Sequence, residues 1–286
     1  MDAIVAFDIG GSAVKYGFWI DNQLKHQSSF VTPETMDDMI VSMKDVINSA
    51  PKEVKGVAIS SPGAVNADAR VIEGISAVPY LHDFPIYDRL EKEFNLPVTI
   101  ENDANCAGIA EMALGAGEKA NNAVFIVLGT GVGGAIFING KIYKGSHLFG
   151  GEFGLLKNKT DKILSMTGTI VKVANRYEEL TGEKVTGKEI FALVDEKNEL
   201  AIELVKEMYD DLAQSLYNIQ VSIDPELVMI GGGVSEREEL PVELSKRLKI
   251  LLDGQGVGSI MPEIVACQFK NDANLIGAVM NFIQNS

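Results

Sequence analysis

Three segments of the chain carry residue types that could bind phosphate or accept a proton. Two are rich in glycine, DIGGS at 8–12 and LGTGVGG at 128–134, and the third is VTIENDAN at 98–105. Glycine leaves backbone N–H groups open to phosphate oxygens. Asp103 follows a strand-like run and precedes an alanine-rich helical run, so its carboxylate could cap that helix or accept a proton. The segment alone does not separate these two roles.

Each glycine segment lies between two predicted strands and does not open a helix. This order excludes a dinucleotide-binding fingerprint, in which the glycine turn leads into the helix that holds the pyrophosphate. An ordinary glycine hairpin is the simpler interpretation of either segment alone. A third cluster, IGGGVS at 230–235, follows a strand and indicates close approach of a ligand to the backbone.

Asp8 ends the apolar run 4–7, where an unpaired carboxylate would be costly. Mg²⁺ or Lys15 would supply a partner, and hydrogen bonds from the turn that follows would also suffice. The sequence favours neither the metal-linked role nor the structural one.

Composition limits the class of protein and its partners. The 286 residues are 46% hydrophobic and carry a net charge of −15, which allows a large core and excludes nucleic acid as a partner. We find no leader peptide and no apolar run of membrane-spanning length, and therefore expect a cytoplasmic protein without a membrane partner. Cys106 and Cys267 are too few for a disulfide framework, and we expect two reduced, buried thiols.

Short Val/Ile-rich strands alternate with amphipathic helices, which predicts an α/β fold. Helices are predicted near residues 36–48, 86–94, 168–180, 199–223, 242–252 and 274–283. The two glycine segments also align as repeats: Gly11-Ser12 falls on Gly129-Thr130, and FWIDNQL at 18–24 falls on IFINGKI at 136–142. Glycine turns at equivalent positions of a duplicated domain favour a phosphate clamp, with the Ser12 and Thr130 hydroxyls as further donors.

The order of DIGGS with Lys15, SPG, ENDAN, LGTGVGG, GGEFG and IGGGVS resembles the ROK family of sugar kinases and repressors. The resemblance runs from Asp8 to the last helix. It implies two duplicated α/β domains of the actin-like, hexokinase-like (ribonuclease H-like) fold around a central cleft. We expect residues 1–117 with the C-terminal helix 272–286 to form the first domain, and residues 118–271 the second.

The resemblance also implies an activity: an ATP- and Mg²⁺-dependent kinase, a homodimer, that phosphorylates the 6-hydroxyl of a hexose or hexose derivative. Asp103 resembles the catalytic base of the family, and the N-terminus of its helix would stabilise the ionised form. The carboxylate of Asp8 would lie near Mg²⁺, directly or through water. The sugar would be lined by Gly63, Asn102, Asp103 and Glu152. The nucleotide would be bound by Gly10, Gly11, Ser12, Lys15, Gly129, Thr130, Gly131, Gly231, Gly232 and Gly233.

The chain departs from the family pattern at the sugar end. Leu155 stands where the family usually has a histidine, and no cysteine cluster follows, so we expect no zinc site. His147 could supply a different sugar contact. The usual Asn-Leu-Pro-Gly-Trp stretch is altered to AVPYLHDF at 77–84. These changes favour N-acetylmannosamine as the substrate, with a β-glucoside or glucose as alternatives.

Two further classes of function remain open. The chain begins seven residues before Asp8, so we expect none of the DNA-binding domain that ROK repressors carry there. A non-catalytic sugar-sensing protein is one alternative, although the intact Asp103 and both phosphate loops argue against it. An actin-like or chaperone-type ATPase that acts without a sugar is the other. An ATPase assay with a panel of sugars separates all three classes.

Overall fold

The computed structural model describes residues 2–158 and 161–285. The chain divides into two compact units. The first consists of Met1–Gly115, Gly145–Phe149 and Asn271–Ser286, and the second of Ala116–Lys144 and Gly150–Lys270. No helix in the described ranges combines the length and apolar character needed to cross a membrane.

The first unit is built on a five-stranded sheet in the order β3-β2-β1-β4-β7. β1 is antiparallel to β2 and parallel to β4, which is parallel to β7. β5 and β6 form a separate hairpin. The elements are β1 Ala3–Ile9, β2 Ala13–Ile20, β3 Gln23–Val31, α1 Met36–Asn48, β4 Val54–Ser61, β5 Ala64–Asn66, β6 Val71–Glu73, α2 Ile86–Phe94, β7 Val98–Asn102 and α3 Asp103–Leu114.

The second unit repeats this plan with a five-stranded sheet in the order β10-β9-β8-β11-β12. Its elements are β8 Ala123–Leu128, β9 Val132–Ile138, β10 Lys141–Ile142, α4 Leu164–Thr167, α5 Ile170–Thr181, α6 Gly187–Asp195, α7 Glu199–Ile223, β11 Leu227–Gly231, α8 Glu239–Gly254 and β12 Glu263–Ala266. The last helix, α9 Ala273–Asn285, belongs to the first unit.

The two sheets confirm the predicted duplication. In each sheet the first three strands in spatial order are antiparallel neighbours, β3-β2-β1 and β10-β9-β8. The two strands that follow, β4-β7 and β11-β12, are added in parallel. The predicted hairpin turns also match, because Asp21 and Asn22 have φ of 55° and 57°, and Asn139 and Gly140 have φ of 53° and 73°. Two consecutive residues with positive φ give the turn whose twist suits paired strands.

The central strands are buried on both faces, as expected for parallel strands covered by helices. In β1, Val5 and Phe7 face one side of the sheet and Ala6 the other, and all three are inaccessible to solvent. Helix α9 packs closely on α3, because Gly277 has no Cβ that would overlap the carbonyl of Cys106. This close approach places the first turn of α9 near the strand ends of the first unit.

The predicted helices are present, with ends that differ by a few residues, but several elements were not predicted. β3 was missed because it is an edge strand with mostly exposed side chains, so no alternating pattern marks it. α6 was missed although Thr186 and Glu189 form a capping box that the sequence displays. Cys106 is buried as predicted, whereas Cys267 is only partly buried.

Candidate functional site

Polar residues meet where the parallel strands of the first unit end. The register places Asp8 of β1 beside Ser60 of β4, and Ser60 beside Glu101 of β7. Ser61 lies beside Asn102 in the same ladder. Ligands of open α/β sheets bind at the carboxyl ends of the strands. This edge therefore collects the acid of the DIGGS segment and the residues that precede Asp103.

The Asp8 carboxylate is held through one oxygen. Its Oδ1 accepts hydrogen bonds from Ser60 Oγ at 2.7 Å and from Asn274 Nδ2 at 2.9 Å. These donors come from β4 and α9, so the expected structural alternative, donors from the turn that follows Asp8, is wrong. Lys15 lies opposite Asp8 across the β1–β2 pair, and its side chain is exposed. Within the described part of the chain, no hydrogen bond reaches Asp8 Oδ2.

The DIGGS turn is anchored from the side by Thr32. Thr32 Oγ1 donates to the Gly10 carbonyl at 2.6 Å, and Thr32 N donates to the Ser12 carbonyl at 3.2 Å. Gly11 packs so closely on Ala77 that a Cβ would lie 2.7 Å from the alanine methyl. The Ser12 side chain is exposed. The turn is therefore held by its carbonyls, while a hydroxyl stays open to a ligand.

Asn102, and not Asp103, caps α3. Asn102 Oδ1 accepts from Ala104 N at 3.0 Å and from Asn105 N at 3.2 Å, which is the N-cap arrangement. Asp103 is the first residue of the helix, and its Oδ1 accepts from Ala104 N at 2.8 Å. The capping role that the sequence left open for Asp103 is thus filled by its neighbour.

Asp103 has an exposed side chain, but its surroundings disfavour its charge. Protein atoms around the carboxylate partly desolvate it, and the negative charge of Asp8 adds to this effect, so the pKa of Asp103 is raised. The hydrogen bond from Ala104 N acts in the opposite direction and is outweighed. The helix N-terminus thus acts in the predicted direction through Ala104 N, but desolvation and the charge of Asp8 decide the direction of the pKa shift. A raised pKa makes this carboxylate a stronger base once it is ionised.

Gly63 joins the predicted sugar-lining residues of the first unit. Its carbonyl accepts from Asn102 Nδ2 at 3.1 Å. Its φ is +102°, and a Cβ at this position would lie 2.7 Å from His82 Cε1 and 2.8 Å from Ile72 Cγ2. His82 Nε2 is in turn 2.7 Å from Ser76 Oγ. The structure therefore brings Gly63, Asn102 and Asp103 together.

In the second unit, the turn between β8 and β9 has open space in front of its backbone. A Cβ on Gly129 would meet no atom closer than 4.0 Å, and one on Gly131 would lie 3.3 Å from Ser165 Oγ. Thr130 between them is exposed. Ser165 Oγ accepts from Val132 N at 3.0 Å and fixes the end of the turn. A phosphate could therefore approach Gly129 without steric hindrance, whereas Ser165 lies close to the corresponding space at Gly131.

The three consecutive glycines at the end of β11, Gly231 to Gly233, are glycine for different structural reasons. Gly231 lies against the Phe125 ring, and Gly232, at φ +93°, has no room for a Cβ beside the Leu128 carbonyl. Gly233 has no atom within 4 Å of where its Cβ would stand. Close approach of a ligand was expected to explain all three, but packing explains the first two. Only Gly233 leaves open space.

Glu152 is carried by a loop packed tightly on β9. Gly134 has no space for a Cβ because the Phe153 ring lies there, and Gly151 adopts φ +95° against the Gly134 backbone. Glu152 is exposed, and Leu155 exposes 53% of its surface. His147 is also exposed, in a segment that belongs to the first unit.

The residues at the strand edge fit Mg²⁺ better than a metal with an all-protein ligand set. Mg²⁺ usually keeps several waters and binds through one or two carboxylates together with substrate phosphates. Asp8 offers one such oxygen, Oδ2. Among residues 2–158 and 161–285, no group of three or more His, Cys, Asp or Glu side chains is placed to hold a metal ion.

Sequence reasoning missed five residues that support these segments: Thr32, Ser60, His82, Ser165 and Asn274. Four of them carry no sequence signal, because their partners are set by strand register and by packing. Asn274 did carry one. The run NDAN occurs at 102–105 and again at 271–274.

Comparison with known proteins assigns the chain to a family. Residues 4–285 match the ROK family. A beta-glucoside kinase from Listeria monocytogenes is 34% identical over 293 residues, with 98% of this chain and 97% of that protein covered. A ROK family protein from Streptococcus pneumoniae TIGR4, solved in complex with sucrose, superposes with a TM-score of 0.91 at 34% identity and covers 99% of this chain and 98% of that one.

A second solved structure, from Listeria monocytogenes and provisionally described as an N-acetylmannosamine kinase, gives a TM-score of 0.87 at 34% identity, with 99% of both chains covered. The predicted actin-like, hexokinase-like fold is confirmed by these neighbours. The resemblance read from the ordered motifs is confirmed as well, and the chain belongs to the ROK family.

Proposed function

We propose that this ROK protein is an ATP-dependent sugar kinase that transfers phosphate to the 6-hydroxyl of a hexose or hexose derivative. The observation that carries the proposal is the Asp103 carboxylate. It is exposed at the first residue of α3, is not needed as the helix cap, and has a raised pKa. These are the properties of a general base at the edge of a ligand site.

In the proposed reaction, Asp103 accepts the proton of the sugar hydroxyl as phosphate is transferred. Asn102 and Gly63 orient the sugar beside it, since the Asn102 side chain is fixed by bonds to both the helix and Gly63. Glu152 supplies a further sugar contact. A weak base suffices, because phosphoryl transfer passes through a loose transition state in which positioning and charge neutralisation contribute most.

The glycine turns would hold the nucleotide. ATP supplies the phosphoryl group when bound, and Mg²⁺ neutralises charge on its phosphates. The backbone of the open turns and the Ser12 and Thr130 hydroxyls donate to phosphate oxygens, with Lys15 as a cationic partner. Gly233 leaves space for the adenosine. We assign phosphate contacts to Gly10, Gly11, Gly129 and Gly131, and adenosine contacts to Gly231 and Gly232. Four of these glycines, Gly10, Gly11, Gly231 and Gly232, also have packing reasons to be glycine.

For the substrate, we propose a hexose that carries a substituent near C1 or C2. Leu155 exposes an apolar surface where the family usually has a histidine, and such a surface suits an acetamido methyl or an aglycone. The sequence alone ranked N-acetylmannosamine first. Three beta-glucoside kinases are 31–34% identical to this chain, whereas an N-acetylmannosamine kinase from Vibrio vulnificus is 27% identical. This difference favours a β-glucoside instead, and N-acetylmannosamine becomes the second candidate.

The deciding experiment measures sugar-dependent ATP turnover with a β-glucoside, N-acetylmannosamine and glucose. The wild type should show the highest kcat/KM with one of the substituted sugars, and Leu155→His should shift the ratio several-fold towards glucose, since a polar contact is worth about 1 kcal/mol. Glucose as the best substrate, unaffected by Leu155→His, would contradict the assignment of Leu155.

Asp103→Asn tests the catalytic role. It keeps the shape of the side chain but removes the proton acceptor, so kcat should fall by roughly 100-fold or more while calorimetry still detects sugar binding. Asp272→Asn is the matched control, because Asp272 holds the same place in the second NDAN run. Near-native turnover by Asp103→Asn would refute the mechanism.

The wild type separates the remaining classes of function. ATP turnover that no sugar stimulates would indicate an ATPase of another kind, and sugar binding without ATP turnover would indicate a sugar sensor.

A further inference from the structure

The two NDAN runs make the same kind of contact in two places. In the first run, Asn105 Nδ2 donates to Glu101 Oε1 at 3.0 Å. In the second, Asn274 Nδ2 donates to Asp8 Oδ1 at 2.9 Å. Both acceptors are acids at the penultimate position of a strand, β7 and β1 respectively. In both runs the last asparagine, in the first turn of a helix, binds a carboxylate at a strand end.

The contact of Asn274 determines which Asp8 oxygen is free. Ser60 and Asn274 both donate to Oδ1, and donors on one carboxylate oxygen fix the rotation of the whole group. The other oxygen, Oδ2, is then the one left to a cation or a water. Asn274 thus acts on the geometry of Asp8, and Asp8 in turn acts on Asp103 through its charge.

Apolar side chains anchor α9 in addition to the Asn274 amide. The helix is anchored by its apolar side, where Leu275, Ala278 and Val279 are each 2% exposed or less, while Asn274 itself is only partly buried. We therefore expect the Asn274 side chain to contribute little to the packing of α9. The Asn274 amide donates to Asp8, the single carboxylate of the DIGGS segment.

We propose that Asn274 is a positioning residue of the phosphate-transfer site, which holds Asp8 so that Oδ2 faces the magnesium nucleotide. The proposal rests on the proposed function, because it assigns Asp8 to the metal-nucleotide side of that reaction. It adds a residue 266 positions away in the sequence from the acid it orients.

The test uses Asn274→Leu in the full chain, which keeps the volume of the side chain but removes the donor. Asn274→Ala is the second variant, for use if the leucine variant does not fold. The control is Asn285→Ala, because Asn285 is on the same helix and its amide donates to Asn281 within that helix. A hydrogen bond to a charged group is worth enough to change affinity by about tenfold or more.

Two readouts are expected to change in the Asn274 variants and not in the control. The Mg²⁺ concentration for half-maximal turnover should rise about tenfold at fixed ATP, with the KM for the sugar unchanged. Calorimetry with AMPPNP and Mg²⁺ should show the same loss of affinity without any turnover. Urea unfolding followed by fluorescence should remain at the wild-type midpoint.

Either of two results overturns the proposal: wild-type magnesium dependence and AMPPNP affinity in both variants, or equal losses of sugar and nucleotide affinity together with a lower unfolding midpoint. The second result would show a merely structural asparagine. Failure of the proposed function looks different, because the wild type itself would then show no sugar-stimulated turnover, and the binding experiment would still report on Asn274.

Discussion

Gly63→Ala is expected to destabilise the first unit by two separable effects. The first is backbone strain, because φ of +102° is a conformation that alanine rarely adopts, at a cost of about 1–3 kcal/mol. The second is steric. The new methyl would lie 2.7 Å from His82 Cε1 and 2.8 Å from Ile72 Cγ2, where real contacts are nearer 3.5–4 Å.

Neither neighbour can move aside easily. Ile72 is fully buried, and His82 is held by its bond to Ser76. Overpacking of this kind costs about 1–3 kcal/mol, so the total expected for Gly63→Ala is about 2–6 kcal/mol. Gly74→Ala is the matched control. Gly74 has a similar φ of +92° but no atom within 4 Å of its missing Cβ, so only the strain should appear.

The assay is urea unfolding followed by tryptophan fluorescence. Trp19 is the only tryptophan of the chain and is 9% exposed in β2, so its emission reports on the first unit alone. Gly63→Ala should lower the free energy of unfolding by about 1–3 kcal/mol more than Gly74→Ala. Adding His82→Ala to Gly63→Ala should recover part of that difference in unfolding free energy, because it removes the imidazole ring that the new methyl group would overlap. Equal losses in the two glycine variants, with no effect of His82→Ala, would refute the steric argument.

The remaining predictions concern charge, metal content and the nucleotide loop. Asp103→Asn should raise the unfolding midpoint at neutral pH and lose this gain in acid, because the raised pKa means that the folded state disfavours the ionised carboxylate. For the same reason the acid limb of the kcat profile should lie above the ordinary aspartate pKa of about 3.9; a limb at or below that value would contradict the desolvation argument. Elemental analysis of the dialysed protein should find no stoichiometric zinc, and one zinc per chain would reveal ligands missed here. Gly233→Ala should raise the KM for ATP without affecting stability, whereas Gly232→Ala should destabilise the second unit because its methyl would overlap the Leu128 carbonyl; thermal unfolding and ATP titration distinguish the two.

Features encoded by neighbouring residues could be predicted from the sequence. The alternation of Val/Ile-rich strands with amphipathic helices predicted the α/β class, and the aligned glycine turns predicted the duplication. The turns at Asn22 and Asn139 were predictable because residues that tolerate positive φ are a local property. Edge strands such as β3 were not, since no buried face imposes a pattern on them.

The tertiary structure was needed to assign different roles to neighbouring residues of similar type. Asn102 and Asp103 are both good N-cap residues by type, and only the course of the chain from β7 into α3 decides that Asn102 caps. The three glycines at the end of β11 look equivalent in the sequence. The backbone of β8 and the ring of Phe125 occupy the space beside Gly232 and Gly231, and leave only Gly233 open.

The clearest limit is the partner of Asp8. The sequence showed that a carboxylate at the end of a buried strand needs a partner, because leaving it unpaired is costly. It did not show that Ser60 and Asn274 are its partners, although NDAN occurs twice in the chain. Strand register brings Ser60 to Asp8, and the packing of α9 on α3 brings Asn274 there. A hydrogen bond requires a donor and an acceptor within about 3 Å of each other, whatever the number of residues between them in the sequence. Only the folded structure therefore determines such a pair.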